Sequence, residues 1–195
     1  MTPHQLKKLK EAIRQNESWT EFPMTGDGHY NLANELNKPA IPRFMVWRTD
    51  IKPHEILGAM NLSTYVPKAS VYDWSKPEDV QVFIAKSLVI QIKQSILNMI
   101  VGAKDVINMS MASSRSALMD AVTNIPSGDN GKAENAGGVD GKDVLNACTR
   151  QATFAEKILF AGPNTSDTTG TVTARVLDFE GFVTPADVQK ARELL

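Results

Sequence analysis

Residues 75–101 read SKPEDVQVFIAKSLVIQIKQSILNMIV, and this stretch decides the fold class. Ser75 is a favourable N-cap, and Glu78 and Asp79 place two carboxylates in the first turn, where the helix dipole is positive. Val80, Phe83, Ile84, Leu88, Ile92, Ile96, Met99 and Ile100 recur at helical spacing, and Val82, Val89, Ile90 and Leu97 widen the apolar stripe. The expectation is one long buried helix at the centre of the core. Gln81, Lys86, Gln91, Lys93, Gln94 and Asn98 interrupt the run, so the stretch makes a poor membrane span and no transmembrane segment is expected. Gly102 ends or bends the helix, and Val106, Ile107, Leu118, Met119 and Val122 belong to one or two further helices before Ile125.

Working outward, Thr2-Pro3-His4-Gln5 has a cap, a proline whose missing N–H is harmless there, and a glutamine three places after the cap. Leu6, Leu9 and Ile13 then give an amphipathic helix over residues 3–15, with Lys7, Lys8, Lys10, Glu11 and Arg14 on its solvated side. Thr25-Gly26-Asp27-Gly28 reads as a turn leading to a short helix with Tyr30, Ala33 and Leu36. A phosphate loop is excluded because neither a preceding strand nor a following Lys-Ser/Thr is present. Pro39 and Pro42 force an extended segment carrying Phe44, Val46 and Trp47. Pro53 opens another helix, running through Ile56 and Leu57.

Residues 126–141 shift to glycine, serine, asparagine and aspartate, and predict a flexible Gly-rich loop or arm. Calcium is excluded there, since the ligand order with a sixth-place glycine and a closing glutamate is not met. A helix is expected over 142–161, with Val144, Leu145, Cys148, Ala152, Ala155, Ile158 and Leu159 inward and Gly162-Pro163 as its stop. Residues 171–195 predict a hairpin plus a terminal helix. Thr171–Val176 alternates at the strand period, Phe179–Val183 is the expected partner strand, and Thr184-Pro185-Ala186-Asp187 launches the helix. The fold class is therefore mainly α, a helical bundle-like core in a single domain over 1–195 with a small β-hairpin near the C-terminus.

The composition limits function. Twenty-one basic and 22 acidic residues leave a net charge of −1, which provides no global attraction to nucleic acid or anionic lipid. One cysteine, Cys148, excludes an intrachain disulfide and any Cys-rich zinc module. Residues 1–14 do not read as an export signal. His4, His29 and His54 stand at unrelated positions with no metal-ligand spacing, and Cys148 falls on the apolar side of its helix. Glu78 and Asp79 are explained by helix-start electrostatics, and Asp178 and Glu180 read as the solvent side of a strand. Met99, Met109, Met111 and Met119 read as core gap-fillers. No nucleophile, base and orienting group can be assembled, so no enzyme, cofactor or metal is expected.

Three sets of residues carry a resemblance. They are Met1-Thr2-Pro3-x-Gln5-Leu6-x-x-Leu9-Lys10-x-x-Ile13 with Gly26-Asp27-Gly28, then Pro42-x-Phe44-x-Val46-Trp47-Arg48-Thr49, and later Arg150-x-Ala152-Thr153-x-Ala155-Glu156-Lys157-x-Leu159-Phe160-Ala161-Gly162 with Phe179-Glu180-Gly181 and Asp187-Val188-x-x-Ala191-Arg192. Together they resemble a family of small proteins encoded by tailed bacteriophages and prophages. The match covers both ends, the middle is weakly matched, the glycine-rich arm is extra, and Phe154 replaces a residue that is often basic. The resemblance implies a virion structural protein, expected as a head-to-tail adaptor (neck or connector) subunit between portal and tail. The alternatives are a tail or minor capsid component, or a nonstructural phage protein that binds a host factor. The implied partners are other copies in a homo-oligomeric ring and the portal and tail proteins, without membrane or sequence-specific nucleic acid. The implied setting is the host cytoplasm during assembly and then the virion.

The C-terminal helix is the expected interface, with Val188, Ala191, Leu194 and Leu195 as anchors and Lys190, Arg192 and Glu193 at the rim. The same helix has an equal claim to pack on its own core, because amphipathicity does not identify the covering chain.

Overall fold

Helix starts written in the sequence are the most regular feature of the fold. In the computed structural model, which describes residues 1–69, 72–102, 105–127, 132–160 and 167–194, Thr2 Oγ1 accepts from the Gln5 N–H at 3.3 Å while Gln5 Oε1 accepts from the Thr2 N–H at 2.8 Å. This reciprocal cap, with Pro3 in the first turn, opens α1 (Pro3–Gln15). After the short α2 (Glu17–Thr20), Thr25 caps α3 (Gly26–Leu36). Gly26 and Gly28 thus lie inside a helix and not in the expected turn. Glycine is required at 28 by close approach, since a Cβ there would lie 2.0 Å from the Pro23 carbonyl oxygen.

The chain continues through β1 (Met45–Trp47), α4 (Pro53–Gly58), a 3₁₀ turn at Leu62–Tyr65, α5 (Pro77–Val101) and α6 (Ala112–Val122). A 3₁₀ turn at Val139–Gly141, α7 (Lys142–Ala147), β2 (Thr149–Gln151), α8 (Phe154–Leu159), β3 (Asp167–Thr169), β4 (Val172–Ala174) and α9 (Pro185–Glu193) complete it. The fold is mainly α with a small hairpin near the C-terminus, as its caps and stripes imply, and among the described residues no sheet has more than two strands.

Where the sequence reading has one domain over 1–195, the chain divides into two compact units. The first comprises Met1–Val46, Gln151–Thr165 and Arg175–Leu195, and the second Trp47–Arg150 and Ser166–Ala174. In the first, Leu9 and Ile13 of α1, Leu32, Ala33 and Leu36 of α3, Ala155 and Leu159 of α8, and Val183, Val188 and Ala191 form one buried cluster. Asn37, just after α3, clamps the approach to α9: its Nδ2 donates to the Val183 carbonyl at 2.8 Å and its Oδ1 accepts from the Val183 N–H at 2.9 Å. The Arg175 guanidinium stacks over Phe44 and Phe160, with centroids 5.0 and 5.5 Å away.

In the second unit Trp47, Ile51, Ile56, Ile107, Met109, Leu118, Val122, Ile125 and Leu145 are buried. Arg115 of α6 is buried among them and donates to the carbonyls of Met109 at 2.7 Å and Ser110 at 2.8 Å and to Thr169 Oγ1 at 3.0 Å. Its guanidinium also lies 4.7 Å from the Trp47 ring centroid. Multiple hydrogen bonds offset the desolvation of this buried charge, which holds the start of α6 to the hairpin.

Three segments differ from the sequence reading. The helix expected over 142–161 is two helices separated by β2, because Thr153 and Glu156 form a reciprocal cap that restarts the chain as α8. Its expected Gly162-Pro163 stop lies outside the described residues. The hairpin pairs Val172–Ala174 with the preceding Asp167–Thr169 and not with Phe179–Val183, because Gly170, at φ +58°, supplies the left-handed residue of a two-residue turn. The hairpin belongs to the second unit and α9 to the first, so residues 171–195 are not one subregion. Finally, the 126–141 segment is no free arm in its described part. Ile125 and Glu134 exchange backbone hydrogen bonds at 2.8 and 2.7 Å, and buried Ala136 donates to the Val122 carbonyl at 2.8 Å and accepts from the Asn61 N–H at 2.7 Å. Residues 128–131 lie outside the described residues.

Candidate functional site

Helix α5 is not the buried centre of the core that its composition suggests. Its cap is Lys76 and not Ser75, with Pro77 in the first turn; Ser75 instead donates to Asp73 Oδ1 from its N–H and Oγ at 3.0 and 2.6 Å. The side that packs on α6 and on the Leu62–Tyr65 turn buries Ile90, Lys93 and Leu97. Lys93 runs its stem along this side and donates from Nζ to the Asp120 carbonyl, with Asp120 Oδ1 at 3.5 Å. Gln94 Nε2 reaches the Tyr65 carbonyl at 3.5 Å, and Tyr65 donates its hydroxyl to the Ala121 carbonyl at 2.9 Å.

The opposite side is open. Ile84, Leu88, Ile92 and Met99 are 52%, 54%, 59% and 68% exposed, and Val82 and Val89 stand beside them. From Val82 to Met99 the face runs about 26 Å at the ordinary helical rise. It holds no charged side chain. The lysines of this stretch are engaged elsewhere, Lys93 at Asp120 and Lys86 over the Tyr72 ring at 5.5 Å. Only Gln81, Gln91, Ser95 and Asn98 relieve its apolar character. Trp74 packs edge-on against Phe83 at 5.0 Å, on the side of α5 turned away from this face. The six exposed aliphatic side chains present roughly 600 Å², at or above the largest apolar patch of an ordinary monomer. By length and composition α5 also suffices to cross a membrane.

No family model, curated protein or solved structure matches the chain.

The C-terminal interface expected from the sequence is corrected. Val188 and Ala191 are buried in the cluster of their own unit, so they are unavailable as anchors. Arg192 donates to the carbonyls of Phe22 at 2.7 Å and Pro23 at 3.2 Å, and Glu193 accepts from Gln189 at 2.8 Å. Lys190 and Leu194 are exposed, and Leu195 lies outside the described residues. Beside α9, a shallow cleft of about 330 Å³ is lined by Lys7, Lys10, Glu11, Arg14, Pro3 and Leu194.

The remaining reactive groups have structural surroundings. Cys148 is buried, and burial pushes its thiol up to about 12, so almost no nucleophilic thiolate forms near neutrality. Arg48 binds Glu55 through both terminal nitrogens at 2.6 and 3.2 Å and Asp50 through Nε at 3.1 Å. The Arg48 hydrogen bond holds the Glu55 carboxyl down at about 2 and raises the guanidinium in turn. His29 is buried in α3, whereas His4 and His54 are exposed on other helices. Among the described residues no three His, Cys, Asp or Glu side chains gather to hold a metal ion.

The sequence reading missed the outward face of α5 because it assigned nearly the whole circumference to one core. The signal was the stripe's breadth, wider than one packing partner covers.

Proposed function

We propose that this chain is an assembly subunit of a tailed-bacteriophage virion, a head-to-tail adaptor that forms a homo-oligomeric ring between portal and tail. The exposed, charge-free apolar face of α5 carries the assembly part of this reading, and the sequence resemblance carries the phage part. A surface of this size left in water favours association, and a ring offers each copy two neighbours to cover it. The chain acts in the host cytoplasm during assembly and then in the particle.

Protein is a better cover for α5 than a bilayer. Helix α6 packs on α5 and would carry Arg115 and Asp120 toward the hydrocarbon, where ionised groups are costly. An in-plane interfacial helix, for its part, displays Lys and Arg outward along its polar border, whereas the two lysines that flank this face are turned to their own unit, Lys86 over Tyr72 and Lys93 at Asp120. No catalytic step is assigned; Cys148 is buried and Arg48 is engaged by both Glu55 and Asp50.

Mass spectrometry of purified virions tests the proposal. The chain is expected in every particle at the fixed copy number of a ring, and particles made without it should carry heads and tails that fail to join. Complete virions that lack the chain contradict the proposal.

A further inference from the structure

We propose that the α5 helices of neighbouring copies pack side by side and parallel, each touching two neighbours, so that they form a closed palisade of three or more helices. This deepens the assembly reading above and rests on it.

A heptad frame separates the two sides of α5. Phe83, Ile90 and Leu97, seven residues apart, face the helix's own unit. In the same frame the outward seam is Ala85, Leu88, Ile92, Ser95 and Met99, spaced three and four residues apart as in packed helices. The flanks of this seam are unlike. One holds Val82, Val89 and the half-buried Ile96, each β-branched and apolar; the other holds Ile84, Gln91 and Asn98. In a two-stranded coil these flanking positions carry the charges that select the partner. Here neither flank has a charge.

Width then distinguishes a ring from a pair. From Val82 round to Ile84 the exposed apolar residues span roughly 160° of the circumference, against a narrow seam for a two-stranded coil. A single neighbour leaves one flank in water, whereas two neighbours cover both. Because the flanks differ, the contact is heterologous, the Val82/Val89 side of one copy against the Ile84/Leu88 side of the next, and such contacts close by rotation into a ring.

The occupant is a second copy on two grounds. A face without charge meets its own copy without like-charge repulsion. Its area, roughly 600 Å² of side chain, amounts to about 300 Å² at each of two contacts, short of the ~800 Å² per partner of a stable pair, so the contacts hold together only when the ring closes and each copy buries both flanks.

Native mass spectrometry and sedimentation of the full chain test the inference, together with an introduced thiol, Met99→Cys. The thiol is a clean reporter because Cys148 is buried. Wild type is expected at three or more times the 21.4 kDa monomer mass, and Leu88→Glu at the monomer mass with an unchanged circular dichroism spectrum. Oxidised Met99→Cys is expected to give covalent dimers, since parallel in-register helices bring equal positions together. Three results overturn the inference: a folded wild-type monomer at tens of micromolar, an oligomer that Leu88→Glu leaves intact, or a Met99→Cys that cross-links only when mixed with Gln81→Cys, which marks antiparallel pairs. The two proposals fail separately, because a monomeric chain found in virions refutes the palisade alone, and an oligomer absent from virions refutes the adaptor alone.

Discussion

Helices α9 and α5 both start with a proline in the first turn and acidic residues close behind, yet their apolar residues meet opposite surroundings. In α9 the apolar set is narrow. Val188 and Ala191 fill the cluster with α1 and α3, and Arg192 closes onto two backbone carbonyls. In α5 the apolar set extends around the helix; Ile90 and Leu97 satisfy its own unit, and Ile84, Leu88, Ile92 and Met99 remain over. Amphipathic breadth, more than helix strength, therefore separates an element that completes a core from one that also presents a surface.

The sharpest way to break this comparison is to place the same charge on both helices. Val188→Asp buries an unpaired carboxylate among Leu9, Leu36 and Leu159 and is expected to remove about 4 kcal/mol or more, unfolding the first unit in urea titrations. Ile92→Asp puts it on an exposed position, where the monomer's own stability should change by about 0.5 kcal/mol or less. Equal losses for the two would erase the distinction.

Arg115 sharpens the account inside the second unit. Arg115→Met keeps much of the side-chain volume over Trp47 but strands the carbonyls of Met109 and Ser110 and the Thr169 hydroxyl, so a loss of about 3 kcal/mol is expected in thermal unfolding. A neutral outcome would mean that the hairpin is held by apolar contacts alone.

The same unit should be sensitive to alkali. Burial raises Cys148 from 9.0 and Tyr65 from 10.0 to about 12 each. A folded-state pKa above the unfolded value stabilises fully below the unfolded value, and that stability disappears as pH rises through the folded one. Melting temperatures should therefore hold up to about pH 9 and fall steadily toward pH 12. In parallel, Cys148 should resist a thiol reagent at pH 8 until denaturant is added.

The smallest expected effects are at the caps. Thr153→Ala and Thr184→Ala each remove one reciprocal cap, worth about 1 kcal/mol in denaturant titrations, whereas Ser75→Ala, at the position read from sequence as a cap, should cost less.

Caps and prolines were the legible part of the sequence because they act within four residues. Thr2, Pro3 and Gln5 set the start of α1, and Thr184, Pro185 and Asp187 that of α9. Thr153-x-x-Glu156 carried the same signal and was overridden by an apolar periodicity that runs through β2. The sequence marks the strand at Val172–Ala174 but not that its partner is Asp167–Thr169. Alternation marks a strand, and it took the geometry of Gly170 to choose its partner. The surface of α5 was illegible for a different reason, since a stripe shows that residues seek cover and contains nothing about which chain supplies it. Arg115 was invisible altogether: its carbonyl partners come from backbone that no residue type announces.

Oxidation of methionines by dilute peroxide, read by peptide mass spectrometry, tests most directly whether α5 is covered by its own copies. Met99 is 68% exposed in the isolated chain and Met109 is fully buried in the core, so the two make an internal pair. In assembled wild-type protein Met99 should oxidise nearly as slowly as Met109, and Leu88→Glu should raise the Met99 rate at least tenfold while Met109 stays protected. Rapid oxidation of Met99 in wild-type protein, at the rate of exposed Met24, would contradict the account.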